Sequence, residues 1–518
     1  MSRFAPSLLV FLALGCNHAR SPTTDAPPPA ADWTITLAPT TTAATLSPTL
    51  LGQYDLDGAL FHYDHQAPLL SLMHQAGMTE WRVGVGRWEF GTQLLPTLTD
   101  GTPCTIALPQ MAAPVGTTDL DLIAARDWFT YTDGTPVALA ATADDTRYQL
   151  SYVRSVIDVA TAFGVAPYVD IDLMPRALAA SQTPVRTNAE YTPGQCGTTF
   201  TNKVSNVKPA DATVFAAAVV GLVERVVEGS AGAPGRPVRY WEFWNEPELA
   251  YAWDPNVGDL TSWFQTADFA LTALDNYRRT TASSDGRAIK IGLGSFANAD
   301  AAATVVAQFP GPFDFLSFHV EISDDPLTTA QKIREVVAAR DASSHASDEL
   351  VLSEWAQQLV PASSLDPSTM DVALYDATVL ALAATAGLDH AHHAIFWDFL
   401  AQGVPDLGII DHDFTPRPAF YTFALLAKLI GGGAQRLAVS GFSDGELDGG
   451  MGAVLAAVGA DGTTRILFVN RNTSARTASV GATPSAVTVF DDPTRAPHDA
   501  SPSAIVAVPA RSIVLVEL

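Results

Sequence analysis

Between residues 49 and 432 the chain alternates short apolar runs of strand character with longer amphipathic runs of helical period, and few folds accept that rhythm. The strand candidates are TLLGQYDL (49–56), TEWRVGVG (79–86), VAPYVDIDLM (165–174) and VRYWEFWN (238–245). They continue with AIKIGLGS (288–295), FDFLSFHV (313–320), LVLSEWA (350–356) and HAIFWDF (393–399). Helical stretches such as 67–78, 149–164, 213–229, 262–280, 372–387 and 417–432 separate them. Eight strands alternating with helices predict an α/β fold, a parallel (β/α)8 TIM barrel, spanning residues 32–432.

Two insertions interrupt the alternation. Residues 91–147 follow the second strand and carry Cys104 and a hairpin signal at Asp133-Gly134; residues 175–212 follow the third and carry Cys196. Loops after consecutive barrel strands are neighbours, so a Cys104–Cys196 disulfide would staple two rim loops across 92 residues, worth at most ~4.7 kcal/mol by chain entropy. Two unrelated thiols are the alternative. After residue 432 short apolar runs (GAVLAAVG, RILFVNR, SAVTVFD, SIVLVEL) lie between Gly, Pro, Asp and Thr, which predicts a small C-terminal β-sandwich over 433–518. DWTITLAP (32–39) offers it an edge strand.

The N-terminus, MSRFAPSLLVFLALGC, has one basic residue and an apolar run too short to span a bilayer. It reads as an export signal over residues 1–16. Gly15 before Cys16 resembles a bacterial lipoprotein signal, with Cys16 lipidated and anchoring the protein to a membrane; a plain secretory signal is the alternative. Residues 17–31 form a polar tether. The expected location is the cell envelope or the outside of a bacterial cell. A net charge of −26 argues against nucleic acid as a partner. His390, His392 and His393 invite a metal reading, but they precede the eighth strand candidate, on the barrel's stability-bearing face. A solvated loop is the favoured reading there. No metal and no organic cofactor are implied.

The chemistry points to two carboxylates. Asn245-Glu246 end the fourth strand candidate, and Glu354 ends the seventh. Catalytic residues of such barrels sit at strand C-termini, so these acids share one end. Glycoside hydrolysis needs such a pair, and a retaining pair stands ~5–5.5 Å apart. The stretches YWEFWNEPEL, VAPYVDIDLMPRALA, LSEWAQQL and GIIDHDFTPRPAFYTFALLAKL, at the positions the barrel order demands, resemble clan A of the glycoside hydrolases. Over residues 50–430 the chain looks most like family 39, which includes β-xylosidases and α-L-iduronidases. The resemblance implies a retaining hydrolase acting on a carbohydrate. In it Glu246 is the acid/base, Glu354 the nucleophile and Asn245 the partner of the sugar 2-hydroxyl. Arg82 would hold Glu354 ionised, His319 line the pocket and Trp397 wall the sugar ring.

Asp170 and Asp172 read as a polar barrel-core network, and Trp241 and Trp244 as packing. Arg82 reads equally as the partner of a structural acid. The chain departs from the family where Arg82-Val83-Gly84 replaces Arg-x-His, and where Glu321 replaces a Tyr two residues after His319. The reading is an exo-acting, β-xylosidase-like enzyme. An endo-acting glycanase of the clan and a non-cleaving glycan-binding protein are the alternatives.

Overall fold

The computed structural model describes residues 30–37, 44–54, 66–84, 128–131, 136–172, 174–180, 207–230, 232–249, 253, 260–357, 363–397, 408–411, 413–442 and 444–518. Cys16, Cys104, Cys196 and the expected hairpin at Asp133-Gly134 lie outside the described residues.

The described residues form a closed barrel of eight parallel strands in sequence order. These are β1 (Gly52–Tyr54), β2 (Glu80–Gly84), β3 (Ala166–Ile171) and β4 (Tyr240–Phe243), then β5 (Lys290–Phe296), β6 (Phe315–Val320), β7 (Glu349–Trp355) and β8 (His390–Ala394). β8 pairs with β1 and closes the ring. Helices α1 (Gln66–Gln75), α2 (Ser151–Ala162), α3 (Ala212–Val227) and α4 (Leu260–Thr280) surround it. So do α5 (Ala299–Gln308), α6 (Pro326–Asp341), α7 (Met370–Ala386) and α8 (Pro418–Ile430). The architecture is the expected (β/α)8 barrel. Sequence reading had not singled out α5 and α6.

Period-two alternation sorts each strand's side chains between two environments. Trp81, Val83, Val169, Ile171, Trp241 and Phe243 join the main apolar core and are essentially fully buried. Burying such a side chain is worth ~1.5–3 kcal/mol, so these residues stabilise the helix-to-sheet layer. Tyr168, Tyr240, Phe315 and Val351 form a separate apolar cluster, with Tyr168 stacked on Tyr240 at 5.8 Å. Helix starts follow from local chemistry. Asp211 caps α3 by accepting from the backbone N–H of Thr213 and Val214, and Pro326 and Pro418 open α6 and α8 where no N–H is needed.

The eighth strand lies earlier than its sequence signal. His390, His392 and His393 are not in a solvated loop: they are in β8, and all three are buried. His390 and His392 point inward to Glu80, whereas His393, on the other face of the strand, lies 3.7 Å from Asp376.

Past α8 the chain supplies strands to three sheets, beginning with β9 (Gln435–Leu437), β10 (Val439–Ser440), β11 (Glu446–Leu447) and β12 (Gly452–Val458). β13 (Thr464–Asn470), β14 (Arg476–Ser479), β15 (Ala486–Phe490), β16 (His498–Ala500), β17 (Ile505–Val508) and β18 (Ser512–Glu517) follow. The larger sheet runs β9-β12-β13-β18-β15-β16, with β11 on β12. Trp33–Thr34 pairs with β14, which pairs with β17, and Thr36–Leu37 pairs with β10. The expected edge strand from 32–39 thus does join the C-terminal sandwich. One face of the larger sheet, through Leu455, Leu467 and Leu515, merges with the barrel core against α7 and α8.

β1 passes so close to β8 that a Cβ at Gly52 would meet the His392 ring and stand 2.8 Å from Ala391 O. Gly52→Ala is therefore expected to destabilise the fold by ~1–3 kcal/mol through overpacking, read as a lower midpoint in urea denaturation.

Candidate active site

Every polar group of the site stands on a barrel strand or within three residues of its end. Arg82 of β2 lies at the centre, 1 % exposed. Its Nε donates to Glu242 Oε1 at 2.8 Å, its Nη1 to Glu354 Oε1 at 2.7 Å and its Nη2 to Asp170 Oδ2 at 2.8 Å. Nη2 also reaches Asn245 Oδ1 at 3.0 Å and Ser295 Oγ at 3.1 Å. The guanidinium lies 4.8 Å from the centre of the Tyr54 ring, and Tyr168 donates to Glu242 Oε2 at 2.7 Å. A charge this buried persists only because it is paired on every side. Of the two readings of Arg82, structural partner and partner of Glu354, the geometry holds both.

The two expected acids meet at His319. Its Nδ1 lies 2.9 Å from Glu246 Oε1 and its Nε2 3.5 Å from Glu354 Oε1. Ser295 Oγ also contacts Nε2 and lies 2.9 Å from Ser353 Oγ. Burial, with Arg82 close by, lowers the His319 pKa to about 4 against the pull of Glu354. The ring is therefore neutral at pH 7, with one N–H. Ser295 Oγ, which accepts from Arg82, bridges His319 Nε2 and Ser353, while His319 Nδ1 faces Glu246.

Glu246 reaches this position through a strained turn. Trp244 and Glu246 have φ of 78° and 46°, a left-handed conformation that costs on the order of 1–3 kcal/mol per residue away from glycine. The turn is held by Trp244 N–H donating to Ile171 O (3.1 Å) and Glu246 N–H to Ser295 O (2.6 Å). Trp244 itself is fully buried, 5.0 Å from Trp253.

The carboxylates differ in environment. Burial raises the Glu354 pKa; His319 and Arg82 pull it down, and the Glu246 charge adds to the rise. Burial likewise raises Asp170 well above the carboxylate range despite Arg82. Glu248, two residues past Glu246, is pushed up to about 8 by burial and by the Glu246 charge, although it accepts backbone hydrogen bonds. Trp397, three residues past β8, is buried and stacked on Phe414 at 5.0 Å.

The structure thus brings together Arg82, Asn245, Glu246, His319 and Glu354. It adds Glu242, Ser295 and Tyr168, which sequence reading missed. Their only signal was inward register: Asp170 faces Glu242 across β3 and β4, and Ser295 follows two glycines at the end of β5. Asp170 belongs to the polar core as expected.

Further down the barrel, Glu80, His390 and His392 offer ligand atoms within 4.8 Å of one another, the residue types of a zinc site. Hydrogen bonds account for their placement without a metal, because Glu80 Oε2 lies 2.8 Å from both His390 Nδ1 and His392 Nε2. Burial opposes charge on each group. His390 and the hydrogen bonds from both rings nevertheless bring Glu80 to about 2, while Glu80 and Glu349 hold His390 up at about 9. His392 is shifted down, chiefly by burial.

Linkage follows from these directions. The contribution of Glu80 is complete above pH ~4.5 and fades toward 2; that of His390 is complete below ~6.5 and is lost as pH rises through 9. Thermal melts should show stability declining between pH 6.5 and 9, and His390→Gln should flatten that decline while lowering stability at pH 6.5.

No family model and no curated protein matches this sequence. Solved structures do. A glucosidase from Croceicoccus marinus is 16 % identical, with 94 % of this chain and 98 % of that one covered at a TM-score of 0.60. A glycoside hydrolase family 39 β-xylosidase from Caulobacter crescentus is 16 % identical over 94 % and 99 %, at 0.61. A family 51 arabinofuranosidase from Xanthomonas axonopodis pv. citri is 15 % identical over 94 % and 100 %, at 0.56. The likeness is one of fold: this chain's structural neighbours are family 39 β-xylosidases and other clan A glycosidases.

Proposed function

We propose that the chain is an exported retaining glycoside hydrolase, with Glu246 as acid/base and Glu354 as nucleophile. The observation that carries this reading is the neutral His319 ring set between two strand-end carboxyls, with Arg82 charge-paired to Glu354. Against burial, His319 and Arg82 pull Glu354 toward its ionised form, as a nucleophile requires. Ionised Glu354 attacks the anomeric carbon as the glycosidic C–O bond breaks, and Glu246 delivers its proton to the departing oxygen. A glycosyl ester on Glu354 results. Glu246, now a carboxylate, takes a proton from water; that water attacks the anomeric carbon and frees Glu354. His319 Nδ1, 2.9 Å from Glu246 Oε1, positions that carboxyl for proton transfer.

Asn245, with Oδ1 committed to Arg82, offers its NH2 group to the sugar 2-hydroxyl. The fold likeness to a β-xylosidase and a glucosidase supports an exo-acting enzyme on a β-linked pyranose. Residues 1–16 support export, with Cys16 as the lipid attachment point and Cys104 paired to Cys196 outside the cytoplasm.

Purified protein assayed on aryl xylosides, glucosides, galactosides, arabinosides and iduronides should turn over at least one. Glu354→Ala should lose at least 10⁴-fold in kcat, partly restored by azide. Glu246→Ala should lose ~10²–10⁴-fold on poor leaving groups and much less on dinitrophenyl glycosides, which need no proton. Full activity in either variant would overturn the assignment.

A further inference from the structure

Glu321 follows the last residue of β6 and continues the inward register of Ser317 and His319. It is half-buried, and it interacts electrostatically with both Glu354 and Glu246. Among the described residues no cation and no hydrogen-bond donor pairs with it. A carboxyl so placed has the bound ligand as its natural partner.

The remaining charges of the pocket narrow what that ligand can be. Arg82 is the cation at the centre of the site, and its Nε, Nη1 and Nη2 are already engaged by Glu242, Glu354 and Asp170, with Asn245 and Ser295 taking the rest. It has no free edge for a carboxylate on a substrate. His319 is neutral, and the chain carries a net charge of −26, which repels anions at long range. A sugar acid would bring one more carboxylate beside ionised Glu354 and the carboxyl of Glu321, with no unpaired cation among the described residues to receive it, an arrangement that low-dielectric surroundings make worse. Sugar hydroxyls meet no such penalty, because a hydroxyl donates to a carboxylate and accepts from a carboxylic acid.

We propose that this site takes an uncharged glycosyl unit and rejects uronic acids, and that Glu321 is the specificity residue, meeting a sugar hydroxyl where a uronide-cleaving site would need a cation. The inference rests on the glycosidase reading and goes beyond it by separating sugar classes within one fold.

The test compares the full-length protein with Glu321→Gln and Glu321→Lys on an aryl glycoside of a neutral sugar and on the matching aryl uronide. Wild type should show kcat/KM at least 100-fold lower for the uronide. Glu321→Gln should raise KM for the neutral glycoside several-fold with little change in kcat, a split that simple loss of structure would not give. Glu321→Lys should raise the uronide-to-neutral ratio at least tenfold; circular dichroism checks that both variants fold. Wild-type preference within tenfold, or variants that leave both KM and the ratio unchanged, would overturn the proposal. Should no glycoside be turned over, the hydrolase reading fails by itself, and calorimetric titration with xylose, glucose and glucuronic acid decides the rest. Binding of the neutral sugars alone supports the inference, whereas binding of glucuronic acid, or of none of the three, overturns it.

Discussion

The buried guanidinium of Arg82 is the interaction on which the rest of this structure depends. One side chain on β2 gathers carboxylates from β3, β4 and β7, and so ties together four of the eight strands. Removing one partner of such a cluster strands the others in a medium that charges tolerate poorly, a loss of ~3–5 kcal/mol for a buried pair. The same contacts have a chemical consequence. They oppose the burial that raises the Glu354 pKa, and they orient Asn245 and Ser295, whose Oγ contacts His319 Nε2. Stability and the proposed chemistry therefore share one arginine.

A second charged layer lies below the first. Glu80 stands two residues before Arg82 on β2, so both point inward, and it holds His390 and His392 of β8. Tyr168 and Tyr240 separate the layers, each packing on one of these histidines at 4.7 Å. In the lower layer Glu80 hydrogen-bonds both histidines. The upper one sets His319 between Glu246 and Glu354 at the strand ends. Chemistry at the C-terminal ends of the strands and closure beneath it is the division of labour expected of a parallel barrel.

The barrel was legible because its strands and helices announce themselves by period. Glu246 and Glu354 were legible because an acid after an apolar strand is conspicuous. The polar interior was less so. Asp170 showed as a barrel-core acid, but Glu242 sits inside YWEF among three aromatics, and only its register opposite Asp170 reveals that it faces Arg82. The histidines of β8 misled for a related reason: polar residues read as loop when their partner, Glu80, lies 310 residues away in the chain. The left-handed turn at Trp244 and Glu246 was equally hidden, because a non-glycine positive φ is imposed by neighbouring strands and carries no local signal.

The central claim is that Glu354 forms a covalent bond to the sugar while Glu246 handles the proton. The most direct measurement is the anomeric configuration of the first product, followed by proton NMR during hydrolysis before mutarotation sets in. Two successive displacements at one carbon predict a product with the same configuration as the substrate. Initial release of the opposite anomer would mean that water attacks directly, and Glu354 would then be a base and not a nucleophile.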